Sequence, residues 1–194
     1  MPWDYLQDER WDERFKVAAT WLEGIVKDPM PILDLNCGTA RLTRYLHPRL
    51  YSVYIGNDKH VPYIEEAHAN CPQPMKTLFT YSDDLAMRAL KIARPHVLAC
   101  FGIGAGEFVK NGHESETQLE TMRALIHRNK PSAVIVECCA PYWLKYLREP
   151  IVSMLTGFGL GPGPWRTHDF KIEVPKPDIY HSRHMELWLR KDCR

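Results

Sequence analysis

The chain has 194 residues, 45% of them apolar and 25% charged, a balance expected of one globular domain able to bury a sizeable core. A net charge of +1 argues against a globally basic polyanion binder, and no apolar run approaches the roughly 20 residues of a membrane span. The polar opening MPWDYLQDERWDERF is unlike a secretion signal, and six cysteines without CxxC spacing are expected as reduced thiols in a cytoplasmic protein.

In chain order, residues 11–27 place Trp11, Phe15, Ala18, Leu22 and Ile25 at steps of three or four, which predicts an amphipathic helix ended by Pro29 and Pro31. A strand over 32–35 and a helix over about 39–46 follow. Strand two covers 51–56, with a helix around 62–70. Strand three covers 76–81, with a helical stretch over 84–93. Strand four covers 96–101, and a helix over about 116–128 carries Leu119, Met122, Leu125 and Ile126 on one face. Strand five covers 133–138. Two helical pieces are then expected at 142–148 and 150–158, Pro150 suiting a first helical turn.

The tail changes character after the turn GLGPGPW, with β-like runs at 169–174 and 184–190. On the last strand Glu186 and Arg190 are expected opposite Met185, Leu187 and Leu189. Five α/β repeats with near-continuous apolar strands predict a doubly wound, mostly parallel sheet covered on both faces. The two terminal runs, with no helix between them, predict an antiparallel C-terminal hairpin and seven strands in all.

Ligands of such sheets bind beyond the carboxyl ends of the strands, where strand order reverses. The first such corner is PILDLNCGTARLT, residues 31–43. Gly38 allows close backbone approach, Asn36 tolerates positive φ, and Thr39 can cap the next helix. The corner lacks GxxxxGK[ST] and G-x-G-x-x-G, so phosphate cradling and nicotinamide binding are poorly supported.

The run resembles motif I, D/E-x-G-x-G-x-G, of the class I S-adenosylmethionine-dependent methyltransferases. Asp34 matches the acid and Gly38 the second glycine, while Asn36 and Ala40 replace the first and third. The resemblance, spanning about residues 11–190, implies a Rossmann-like fold with S-adenosylmethionine as cofactor and S-adenosylhomocysteine as product. It further implies that Asp58, with Lys59 beside it, closes strand two as the ribose-binding acid. Asp83 or Asp84 lies near the adenine, Phe101 and Gly102 line the methyl-transfer pocket, and Cys37 and Thr39 complete the cofactor loop. Residues 1–29 then form a helical cap in which Trp3 and Tyr5 can close over the cofactor, residues 30–140 the cofactor core, and 141–194 the substrate side.

The acceptor is not written in these motifs. CAPYW (139–143) lacks the first polar residue and first proline of the [DN]-P-P-Y motif of amino-methylating enzymes, and ACFGIG offers no Pro-Cys nucleophile. With no large insertion for a recognition domain, a small-molecule acceptor is favoured over RNA or DNA. A non-catalytic cofactor-binding module is the competing class, because Asn36 and Ala40 depart from the glycine pattern. Glu107 and His113, with Glu114, can supply a general base or a solvated loop. No metal is expected: His181, His184 and Asp178 read as surface groups beside an edge strand. The oligomeric state stays open. Arg166, His168, Lys171, Lys176, Arg183 and Arg190, diluted by acids, read as a solvated face.

Overall fold

The structure, a computed structural model, describes residues 9–92, 96–103, 113–140, 143–171 and 182–191. Its centre is a seven-stranded sheet in the order β3-β2-β1-β4-β5-β7-β6. The strands are β1 (Met30–Leu35), β2 (Tyr51–Asp58), β3 (Thr77–Tyr81), β4 (Val97–Ile103), β5 (Ala133–Cys139), β6 (Arg166–Lys171) and β7 (Ser182–Leu189). Strands β1 to β5 pair in parallel, and β7 runs antiparallel to both β5 and β6. β1 pairs with β2 on one side and β4 on the other, so strand order reverses between β1 and β4.

Both sheet faces are covered, which is why the strands read as apolar runs instead of alternating. On one face Ile32, Tyr54, Ala99, Ile135 and Leu187 meet helix α1 (Glu13–Ile25), through Phe15, Ala18 and Leu22, and helix α2 (Val61–Asn70), through Ile64 and Ala67. On the other, Leu33, Leu98, Val134 and Trp188 meet α3 (Asp84–Ala89), α4 (His113–Asn129) and α5 (Arg148–Gly157) through Met87, Met122, Leu125, Ile151 and Leu155. The described cysteines Cys37, Cys71, Cys100, Cys138 and Cys139 are thiols.

Three local expectations are corrected. The helix over 39–46 is only a 3₁₀ turn at Arg41–Arg44: Ala40, at φ +55°, cannot continue a right-handed helix, and Pro48 opens the next short turn. The pieces around 142–148 and 150–158 run on as a π-helical turn at Trp143–Leu147 followed directly by α5, with Pro150 in the first turn of α5. The second strand of the terminal hairpin is interior to the sheet. It is therefore buried on both sides, and Glu186 is enclosed, accepting the indole N–H of Trp188 at 2.7 Å. Arg190 lies past the strand and donates to the carbonyls of Pro131 and Phe158.

Candidate functional site

The crevice opens where β1 and β4 diverge. The turn leaving β1 holds three left-handed residues at alternate positions, Asn36 (φ +56°), Gly38 (φ +55°) and Ala40 (φ +55°). These are the positions assigned to the three motif glycines. The backbone shape is kept where glycine is lost, at about 1–2 kcal/mol per residue in αL, less for Asn. A Cβ built on Gly38 would meet nothing within 4 Å, so space lies beside that turn.

Asp58, at the end of β2, anchors the turn. Its Oδ2 accepts the Gly38 N–H at 2.9 Å and its Oδ1 the His60 N–H at 2.9 Å. Each carboxylate oxygen carries two acceptor positions, so one per oxygen remains for a ligand. Gly56, two residues earlier, is required by packing: a Cβ there would lie 2.8 Å from Phe79 Cδ1 and 3.0 Å from Cys37 Sγ.

Asp34 is 0% exposed. Its Oδ2 accepts the Tyr54 hydroxyl, and its Oδ1 is buried with no partner among the described residues. Burial pushes the carboxyl up to about 7, against the opposing hydrogen bond from Tyr54 and the charge of Arg14, with Asp58 adding to the rise.

Asn57, Thr80 and Ser82 join the ends of β2 and β3, Asn57 Oδ1 accepting both hydroxyls at 2.9 and 2.7 Å. On the α4 side a narrow cleft is lined by Leu35, Asn36, Asn57, Met87, Cys100, Ile103, Gln118, Thr121 and Met122. Among the described residues the Gln118 amide oxygen is buried there without a partner. Lys59 and Asp83 line a neighbouring open groove with Tyr81 and Ser82. Asp83 also caps α3, accepting the Ala86 N–H at 2.8 Å.

Phe101 is buried and meets Phe15 of α1 edge-on at 5.1 Å. Gly102, at φ +73°, donates its N–H to Glu137 Oε2 at 2.7 Å. Thr39 is buried in the turn, though it caps no α-helix. Cys37 is buried, and burial raises its thiol well above the ordinary value, with Asp34 and Asp58 adding to the rise; it packs as a small apolar group. Glu107 lies outside the described residues, as do Trp3, Tyr5, Asp178 and His181, and the side chains of Asp84 and His113 are likewise outside the description.

Sequence reasoning missed four residues around this crevice: Tyr54, Arg14, Glu137 and Arg183. The last, expected on a solvated face, is 1% exposed and grips Glu137 with its Nε and, at 3.0 Å, its Nη2. A signal for Glu137 was present, since VIVECC places one acid in an otherwise apolar strand.

No family model and no curated protein matches the sequence. Among solved structures the chain is similar to magnesium protoporphyrin IX methyltransferase from Synechocystis PCC 6803 with bound S-adenosylhomocysteine. The two are 12% identical, the match covers 94% of this chain and 84% of that one, and the TM-score is 0.67. It is also similar to the N-methyltransferase NodS from Bradyrhizobium japonicum WM9 in complex with S-adenosylhomocysteine (11% identity, 96% and 91% covered, TM-score 0.65). A third match is an S-adenosylmethionine-dependent methyltransferase from Clostridium acetobutylicum ATCC 824 (16% identity, 94% and 91% covered, TM-score 0.61). The chain has the fold of the class I S-adenosylmethionine-dependent methyltransferases.

Proposed function

We propose that the protein binds S-adenosylmethionine in the crevice between β1 and β4 and transfers its methyl group to a small-molecule acceptor. The observation that carries this reading is the three-fold left-handed turn at Asn36, Gly38 and Ala40, stapled to Asp58 and opening beside Gly38. The residues fit the group. The two remaining acceptor positions of Asp58 suit the ribose hydroxyls, at about 1.5–3 kcal/mol per charge-assisted bond. Asp34 Oδ1, without a partner among the described residues, suits the amino-acid end, and Gln118 Oε1 suits the adenine amino group.

The bound sulfonium supplies both the methyl group and its leaving group, so the chain's work is alignment and exclusion of water. Asn36, Gly38 and Ala40 shape the backbone against the ligand, Lys59 and Asp83 border the adenine side, and Phe101 and Gly102 form the wall toward the acceptor. Glu107 and His113 are the candidates for a base. A nucleic-acid acceptor and a non-catalytic binding module are the alternatives. Calorimetry with S-adenosylhomocysteine tests the reading: wild type binds it, and Asp58→Ala loses that binding by about tenfold or more, the equivalent of one charge-assisted bond. Wild-type protein that gives no binding heat refutes it.

A further inference from the structure

Strand β4 carries an irregularity at the crevice. Cys100 pairs with Val136 and Ile103 with Cys138, so β4 advances three residues while β5 advances two. The extra residue is a bulge at Phe101 and Gly102, where Gly102 takes φ +73°. A bulge leaves a backbone N–H without its ladder partner. Here that N–H is taken by a side chain, the Glu137 carboxylate at 2.7 Å.

Glu137 lies at the level of the crevice rim. Gly56, Asp34, Ala99 and Ile135 form one row across β2, β1, β4 and β5. Two residues nearer the carboxyl ends, Asp58, the turn residue Asn36, the β4 bulge and Glu137 form the next. The carboxylate is 0% exposed and joins separate segments: Gly102 of β4, Arg183 of β7, and Arg14 of α1, whose Nη1 is 3.5 Å from Oε2. Arg14 and Arg183 each hold their guanidinium carbon 5.6 Å from the Trp11 ring centroid, and Arg14 also lies 4.5 Å from that of Phe15. Burial works against the charge on Glu137, but Arg183 and Arg14 with the bonds from Arg183 and Gly102 outweigh it, so the group stays ionised below its ordinary value.

An ion cluster of this kind is a poor way to gain stability, because well-packed apolar side chains of similar volume serve as well or better. Its geometry serves position: one carboxylate fixes the bulge and ties the N-terminal helix to it. We propose that Glu137 is a positioning residue of the crevice, holding the Gly102 amide so that the β4 bulge forms the wall against which the cofactor's reactive end lies. The inference rests on the cofactor reading given above.

The test measures S-adenosylhomocysteine affinity by calorimetry, with thermal unfolding, in wild type, Glu137→Gln and Ile151→Ala. Ile151 of α5 is buried in the core and does not line the cleft, so its truncation is expected to lower stability alone. The expected result is a loss of affinity of about tenfold or more in folded Glu137→Gln and none in Ile151→Ala. Should Glu137→Gln fail to fold, Arg183→Lys is measured instead; it keeps the charge, gives up the two-pronged grip, and is expected to lose affinity likewise. A folded variant of either kind that binds within twofold of wild type, whatever its melting temperature, overturns the positioning role and leaves the cofactor reading intact. Wild type that does not bind overturns both.

Discussion

Asp34 shows how burial converts a motif residue into a charge problem. Its carboxyl is enclosed between Tyr54 and α1, and its pKa rises from an ordinary 3.8 to about 7. Between these values the native state holds a proton that the unfolded chain has released, so stability falls as pH rises from about 4 to about 7. At about 1.4 kcal/mol per unit the penalty at pH 8 reaches roughly 4 kcal/mol. Asp34→Asn keeps an acceptor for Tyr54 and removes the ionisation. Thermal scans without ligand are therefore expected to show the variant more stable than wild type at pH 8 and nearly equal at pH 4. Its affinity for S-adenosylhomocysteine is expected to fall. A variant that is less stable at pH 8 contradicts this account. Asp34 was legible in the sequence because an acid closing an apolar run is a local pattern, and Asp58 was legible through the family resemblance, which expects an acid at the end of strand two. Tyr54 was read only as part of a strand, since its hydroxyl gains meaning from a neighbour across β1 and β2.

At the scale of elements, the strands were legible and the first crossover was not. Apolar, β-branched runs mark a buried strand whatever surrounds them, and β1 to β5 fall within a few residues of expectation. The helix expected at 39–46 fails because Ala40, a good helix former, is held left-handed by the turn and its stapling to Asp58. Thr43 closes the resulting short turn by donating to the Ala40 carbonyl at 2.7 Å. The same packing makes Gly56 of β2 intolerant of a side chain. Gly56→Ala pushes a methyl group against Phe79 and Cys37, an overpacking expected to cost about 1–3 kcal/mol. Differential scanning calorimetry should record a drop of several degrees, and an unchanged melting temperature would show that the Phe79 ring swings away freely. On β7, His184 sits between Asp169 at 2.6 Å and Glu186 at 3.1 Å. Burial lowers its pKa, but the two acids prevail and raise it.

For the whole molecule, these groups set a pH optimum. Glu137 contributes stability above its ordinary value of 4.5 and loses it as pH falls through its depressed value. His184 contributes fully below 6.5 and loses its contribution as pH rises through its raised value. Asp34 adds its penalty between about 4 and 7. The unliganded protein is therefore expected to be most stable near pH 4, as read from melting temperatures over pH 3 to 9. A melting temperature that climbs steadily to pH 8 would contradict the assignment of Asp34 and His184 as the groups responsible. Among the described residues no helix is long and apolar enough to cross a membrane, and the buried apolar side chains gather in two layers against the sheet.

Periodicity and spacing are properties of neighbouring residues, and they determined the alternation of strands and helices, the covered sheet and the corner after Asp34. What only the tertiary structure decided is which distant charges meet. Glu137 is joined to Arg183 across 46 positions and to Arg14 across 123, pairings with no local signature. Gly38 likewise is stapled by a carboxylate one strand away. Such contacts exist only once the sheet brings their strands together, because a buried charge is stable only beside the partner that folding delivers.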